Sequence, residues 1–326
     1  MSTHAHTAGA RVAGPEELDQ YRRELTGYCY RMLGSVFDAD DAVQEIMLRA
    51  WRGAGGFEGR SAVRSWLYRI ATNVCLDMLR SRQRRARPMD MGPSSTAETP
   101  IGPLLPEHAW VLPVPDGRVL ADGDPAELAE QRDTVRLAFV AALQLLPARQ
   151  RAVLILREVL RWQASEVADL LDSSVASVNS ALQRARATLA EADVEAAPAR
   201  PVESDQQELL ARYLEAFERY DIDSLVALLH DEFVMSMPPY DFWMRGKENF
   251  AGWLLGQGCG CRGSRLVATS ANGCPAFGSY RIDPAGGHAP FALQVLEVSG
   301  GRIKGHHNFL VPGLFAVFGL PAHLDA

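Results

Sequence analysis

The sequence predicts a multidomain chain in which two all-α units are followed by an α+β unit. Three observations carry this. Apolar residues recur at three- and four-residue intervals through residues 15–87 and again through 126–195. Between these runs, residues 88–125 hold eight prolines, four glycines and six acids against one base, Arg118. Beyond a short Ala-Pro-Ala-Arg-Pro stretch at 197–201, helical runs at 207–220 and 224–230 give way to strand-like alternation. The expected organisation is a disordered start (1–14), a first helical unit (15–87), an acidic Pro-rich linker (88–125), a second helical unit (126–195), a hinge (196–204) and the α+β unit (205–326).

Composition narrows the class. With 326 residues, 47% hydrophobic and 22% charged, the chain is long enough for two or three compact units. It has no run of the roughly 18 apolar residues that a membrane helix needs, and its start lacks the apolar core of a signal peptide, so a cytoplasmic protein is expected. Five cysteines (29, 75, 259, 261 and 274) are an odd number without paired Cys-x-x-Cys spacing, so neither a disulfide, a metal site nor a cofactor is expected. The net charge is -7, yet residues 60–87 carry eight arginines against one acid, Asp77. A basic patch within an acidic average points to a nucleic-acid contact.

In the first helical unit a run covers residues 18–33. A second helix follows Asp38, Asp40 and Asp41, acids suited to a helix N-terminus, and puts Val43, Ile46, Ala50 and Trp51 along one side. Glycines between 53 and 59 end it, and a third helix carries Val63, Trp66, Leu67, Ile70, Val74 and Leu79 into the arginine run. On the second helix, Asp41, Gln44 and Glu45 beside Arg49 and Arg52 offer charge complementarity to a partner helix. On the third, Arg60, Arg64 and Arg69 supply cations for phosphates, while Tyr68 and Asn73 supply a ring and an amide for unstacked bases, the chemistry of single-strand capture. Arg80, with Arg82, Arg84, Arg85 and Arg87, suits duplex phosphates.

Residues 145–190 hold the most specific signal, a short helix (164–171), a turn at Asp172-Ser173-Ser174 and a longer helix (175–189), spaced as in helix-turn-helix proteins. Val167, Leu170, Leu171, Val175, Val178, Leu182, Ala185 and Leu189 are assigned to the core. The other side of the second helix shows Ser177, Asn179, Ser180, Gln183, Arg184 and Arg186, of which the amides and arginines suit base edges and the serines suit phosphates.

Leu146-Pro147-Ala148-Arg149-Gln150-Arg151, Leu156-Arg157-Glu158, Glu166-Val167-Ala168 and the run from Ser174 to Arg186 resemble region four of extracytoplasmic-function sigma factors. The resemblance implies that the second helix reads the minus-thirty-five promoter element. Asp172 stands where the family usually has glycine, and Asn179 and Ala181 stand where basic residues are common. The run from Asp38 to Glu45, Leu48-Arg49-Ala50-Trp51-Arg52, Phe57-Glu58-Gly59-Arg60 and the run from Arg64 to Asn73 resemble region two. That implies docking on the clamp helices of core RNA polymerase and capture of the non-template strand of promoter DNA at the minus-ten element. By the same analogy the acidic linker occupies the polymerase RNA channel, with simple tethering as the alternative.

From about residue 205, the run Leu209 to Phe217, the run Asp221 to Leu229 and Gly246-Lys247-Glu248-Asn249-Phe250 resemble the SnoaL-like fold, a cone of curved sheet over helices. Such a cone implies a pocket for a small-molecule ligand, and Tyr240, Trp243, His306 and Asn308 are candidates to line it, alongside Met235, Met237, Trp253 and Phe291. Asp241 with His306 is a weak acid-base pair, and no catalytic residue is assigned. The reading is an alternative sigma factor, not an enzyme, modulated by its C-terminal domain. The alternatives are a cyclase or hydrolase fused to DNA-binding helices and a ligand-responsive repressor.

Overall fold

The computed structural model describes residues 18–54, 62–80, 84–120, 124–192 and 203–325. The expected N-terminal tail (1–14), the Ala-Pro hinge at 197–201 and Arg60 and Arg82 lie outside the described residues. Two units emerge, one formed by residues up to 84 with 117–194 and the other by residues 85–116 with those from 195 onward.

The first unit starts with α1 (Arg22–Leu33), α2 (Val36–Gly53) and α3 (Val63–Leu79). Ser35 caps α2 by accepting the Asp38 N–H, and Leu25, Tyr28, Val43, Ile46, Leu67 and Ala71 bury the faces that the apolar periodicity marks. The Tyr28 hydroxyl and Thr72 Oγ1 share a hydrogen bond of 2.8 Å inside this core. The Cys29 and Cys75 thiols are buried beside them with Sγ atoms 3.7 Å apart.

The unit continues with α4 (Pro125–Asp133), α5 (Leu137–Leu143), α6 (Ala148–Leu154) ending in a wider π turn (Ile155–Val159), α7 (Ala164–Leu170) and α8 (Val175–Glu191). The α7 start is held by a hydrogen bond of 2.7 Å from the Gln163 N–H to the Glu166 carboxylate. Asp172 makes the turn with φ 48°, the left-handed conformation that the family's glycine would take more easily. Ser174 then caps α8 by accepting the Ser177 N–H at 3.1 Å. Buried Arg151 donates to the Gln144 side chain at 2.6 Å, to the Leu146 carbonyl at 3.1 Å and to the Met32 carbonyl, so one guanidinium ties α1 to the helix-turn-helix half. Burial pushes its pKa down to about 10, which leaves it cationic at neutral pH.

The second unit is built on α9 (Glu203–Arg219), α10 (Ile222–Ala227), α11 (Lys247–Leu255), α12 (Gly313–Val317) and a six-stranded sheet. The strands are β1 (Leu229–Ser236), β2 (Trp243–Arg245), β3 (Arg265–Ala271), β4 (Cys274–Ile282), β5 (His288–Ser299) and β6 (Arg302–Phe309), in the order β2-β1-β6-β5-β4-β3. Asn272-Gly273 and Gly300-Gly301, all four with positive φ, make the tight turns of the β3–β4 and β5–β6 hairpins. The β1–β6 pair is parallel, which departs from the antiparallel pattern that the alternation suggested. The short β2 and α11 were not legible as separate elements. Tyr213 and Phe217 of α9, Phe233 and Met235 of β1, Phe250 of α11 and Leu296 of β5 fill the core between helices and sheet.

The acidic Pro-rich segment is not a free tether over residues 85–116. It runs along the second unit as a strap that reaches both edge strands of the sheet. At β2, the Ser95 N–H donates to the Trp243 carbonyl at 2.7 Å and the Trp243 indole N–H donates to the Gly92 carbonyl at 2.9 Å. At the β3–β4 turn, the Asn272 N–H donates to the Val114 carbonyl at 3.1 Å, its side-chain oxygen accepts from the Val114 N–H at 3.0 Å, and the Asp116 carboxylate accepts from the Gly273 N–H at 2.7 Å. Pairing in this way blunts the exposed edges of the sheet. The strap's apolar run, Trp110-Val111-Leu112 and Val114, is buried. Prolines exclude this segment from a helix or a sheet interior, yet they leave extended chain free to pack.

Candidate nucleic-acid interface

On α8, periodicity sets two faces. Val178, Leu182 and Ala185 are buried, and Ser177, Asn179, Ser180, Gln183, Arg184 and Arg186 all lie exposed on the other side. Val175, assigned to the core from its spacing, is the first residue of α8 and is 44% exposed. Arg186 is paired with Glu158 at 2.6 Å, a surface contact that solvent weakens. If Arg184 contacts a base, Arg184→Ala is expected to cost about 1–3 kcal/mol in promoter binding with relaxed preference at one position, measured by titration on a promoter panel. A uniform loss on all sequences would make it a phosphate contact.

On α3 the expected strand-capturing residues divide. Asn73 and Arg80 are exposed, with Arg80 3.3 Å from Asp77. Arg64 is held by Glu24, and Arg69 donates to the Asp169 carbonyl at 2.9 Å. Tyr68 departs from its assignment as an exposed stacking ring. It is fully buried, donates to Glu24 at 2.8 Å and packs edge-on against Tyr28. Its apolar neighbours and that carboxylate satisfy both ends of the side chain, and burial pushes the phenol pKa well up. The arginine run also divides. Arg85 is buried, donating to the Trp110 carbonyl at 2.7 Å, and Arg87 pairs with Asp90 at 3.0 Å, so both serve the strap rather than a duplex.

On α2, Asp41, Gln44 and Arg52 are exposed, while Glu45 and Arg49 pair with each other at 2.6 Å. Trp51, assigned to the apolar side, is 63% exposed, and Leu48 is 46% exposed. Positions 44, 48, 51 and 52 share one helix face, so an apolar stripe lies among these charges. The sequence reading missed it because Trp51 fits the core period almost as well as it fits the outer face.

In the second unit the pocket candidates do not converge. Strand alternation and register place His306 and Asn308 on the same side of the sheet as Met235 and Gln294, whereas Trp243 pairs with Ser236 on the opposite side, under the strap. Tyr240 packs against the core cluster, and Asp241 is exposed while His306 is buried, so they form no acid-base pair. The Tyr213 hydroxyl instead donates to Gln294 at 2.8 Å and lies 3.1 Å from His306 Nε2. Ser236, His307 and Glu297 form a second polar chain, with Ser236 Oγ 2.8 Å from His307 Nδ1 and His307 Nε2 3.5 Å from Glu297.

Burial, reinforced by His307, drops the His306 pKa from 6.5 to about 3. The unfolded state therefore takes up this proton first as the pH falls. The stability tied to neutral His306 is complete above pH 6.5 and is lost between 6.5 and 3, by about 2 kcal/mol on reaching about pH 5. Urea midpoints for the parent and His306→Gln are expected to converge by that amount between neutral pH and about pH 5. Parallel decline would assign the acid sensitivity to other groups.

α8 thus exposes a polar face, α3 carries a separate set of arginines, and α2 exposes charges around an apolar stripe. Comparison with known proteins sharpens the class. Residues 18–85 match the Sigma-70 region 2 model and residues 136–189 match Sigma-70 region 4. The ECF RNA polymerase sigma factor SigG of Mycobacterium tuberculosis is 46% identical over 317 residues, covering 94% of this chain and 83% of SigG. SigM of the same species is 33% identical over 186 residues, 57% of this chain and 80% of SigM. The crystal structure of the extracytoplasmic function sigma factor SigJ from Mycobacterium tuberculosis shares the fold with a TM-score of 0.59 at 22% identity, covering 94% of this chain and all of SigJ. The chain belongs to the extracytoplasmic-function RNA polymerase sigma factors, and its C-terminal unit carries a mixed six-stranded sheet with helices. Among the described residues no helix is long and apolar enough to cross a membrane.

Proposed function

We propose that this sigma factor divides its work among three helices and a regulatory cone. The α2 face of Asp41, Gln44, Glu45, Leu48, Arg49, Trp51 and Arg52 docks on core polymerase in the cytoplasm. Around α3, Arg64, Arg69, Asn73 and Arg80 hold the opened strand, and Arg60, which lies outside the described residues, is assigned the same task from its place in the sequence. On α8, Ser177, Asn179, Ser180, Gln183, Arg184 and Arg186 read duplex promoter DNA.

The observation that carries this reading is the exposure of that six-residue polar face on α8 in one chain with the apolar and charged face of α2. Copurification tests it. Reversing charge at Asp41 and Glu45 together is expected to reduce core polymerase retention while leaving duplex binding by α8 intact, since like charges facing the clamp repel. Unchanged retention contradicts the docking assignment.

The cone is read as a regulatory domain and not a catalyst. Ser236 is 2% exposed and His307 5%, so the Ser-His-Glu chain serves as an internal hydrogen-bond network. The strap supports a regulatory role, because it is the segment joining region two to region four and it is held by the cone. A ligand of the cone acts on transcription only as far as it prefers one arrangement of that segment.

A further inference from the structure

The Cys259-Gly260-Cys261 run plays no part in the proposed function, yet its surroundings are specific. It closes a 3-10 turn, Gln257–Cys261, that follows α11 and is fixed along its length. At its start the Gln257 side-chain amide donates to the Ala97 carbonyl at 2.8 Å and to the Thr99 carbonyl at 2.9 Å, so the turn clasps the strap. In its middle the Tyr220 hydroxyl donates to the Gly258 carbonyl at 3.2 Å. At its end the Arg281 guanidinium donates to Cys261 Sγ at 3.1 Å and lies over Gly260, 3.5 Å from where a Cβ would stand. The next residue, Arg262, places its guanidinium 5.0 Å from the centroid of the Tyr220 ring, and that phenol is within electrostatic reach of both sulfurs and both guanidiniums. Of the five cysteines, all among the described residues, Cys259 alone is exposed. An accessible thiol, a second thiol two residues on and cations beside them form a setting in which sulfur reacts.

We propose that Cys259 and Cys261 are an oxidation site, which hydrogen peroxide closes to a disulfide, and that closure loosens the hold of this turn on the strap. Peroxide reaches exposed Cys259 first. The Cys259 sulfur takes one peroxide oxygen, the O–O bond breaks, and the products are a sulfenic acid and one water. The Cys261 sulfur then attacks that of Cys259. The S–S bond forms, the S–O bond breaks, and the departing hydroxide takes the Cys261 proton as the second water. The two thiols supply the two electrons that the peroxide accepts. In a 3-10 turn side chains three apart eclipse, so positions 259 and 261 point to different sides and cannot join while the turn holds. Gly260 gives the backbone between them the freedom to unwind. Unwinding breaks the bonds from the Cys259 N–H to the Gly256 carbonyl and from the Arg262 N–H to the Cys259 carbonyl, both 3.1 Å, and draws Gln257 off Ala97 and Thr99. The chemistry is independent of the docking and DNA assignments, and its reach to transcription rests on the proposed regulatory role of the strap.

The full chain is treated with hydrogen peroxide, its remaining thiols are blocked with iodoacetamide under denaturing conditions, and it is cut with trypsin. Cleavage after Lys247 and Arg262 releases Cys259 and Cys261 in one peptide, 248–262, free of the other three cysteines. The expected product is that peptide lighter by two hydrogen atoms and returned by dithiothreitol to two thiols that alkylate. Hydrogen exchange over residues 91–105, where the Ser95 N–H donates to the Trp243 carbonyl and the Thr99 N–H to the Thr96 carbonyl, is then expected to run about tenfold faster in the oxidised chain. Cys259→Ser should keep the slow rate under peroxide, and Gln257→Ala should show the fast rate without it. A peptide 248–262 in which both thiols still alkylate, or in which Cys259 only gains oxygen, overturns the disulfide. A disulfide that leaves exchange over 91–105 unchanged overturns the clasp. Neither measurement contains polymerase or DNA, so failure here is distinct from failure of the docking and promoter-reading assignments.

Discussion

Trp51→Ala is expected to weaken binding to core RNA polymerase by about 2 kcal/mol, roughly thirtyfold, the loss typical of a buried aromatic anchor at an interface. Trp51 is 63% exposed in the free chain, so its removal leaves no cavity in α2 and should not change the unfolding midpoint. Charged neighbours such as Asp41 and Arg52 steer encounter and lose influence at high salt, whereas the loss at Trp51 should persist in salt because apolar burial is not screened. Fluorescence anisotropy with purified core enzyme at low and high salt measures both. An effect below about threefold at either salt would move the docking face off the Leu48–Trp51 stripe.

Trp110→Ala is expected to destabilise the protein by about 3–5 kcal/mol, the cost of truncating a large buried aromatic. Trp110 is fully buried in the strap, and its carbonyl accepts from buried Arg85. The second unit is thus assembled from two stretches separated in sequence by the helix-turn-helix half, and a fragment beginning at residue 203 lacks the cover of its sheet edges. Denaturant unfolding of Trp110→Ala, together with the solubility of fragment 203–326, measures this. A change below about 1 kcal/mol would make the strap a passive tether after all.

How far the sequence speaks follows from these examples. The helices of the first unit were legible because their burial repeats at 3.6 residues, and the strands of the second only as alternation, which marks extended chain without saying which strands pair. The six-residue face of α8 was legible for the same reason: a helix that buries Val178, Leu182 and Ala185 has only one other side. The strap was not, because its fold depends on partners over a hundred residues away, such as Trp243 and Asn272, and its own composition is that of a flexible linker. Tyr68 was misplaced because its local chemistry suits both a base and Glu24, and only the tertiary packing of α3 on α1 decides between them. Trp243 was assigned to the pocket without a strand to place it, and the pairing of β2 with β1 sets it beside Ser236, on the other face of the sheet from His306.

The central claim is that this chain gives core polymerase its choice of promoter. Reconstituted transcription with core enzyme on a library of promoter sequences tests it directly. The account predicts that the full chain yields transcripts from a subset sharing one minus-thirty-five motif and one minus-ten motif, and that Arg184→Ala reshuffles the first motif while Asn73→Ala weakens use of the second. Transcripts equal to those of core enzyme alone, or duplex binding by the chain that only represses them, would contradict it.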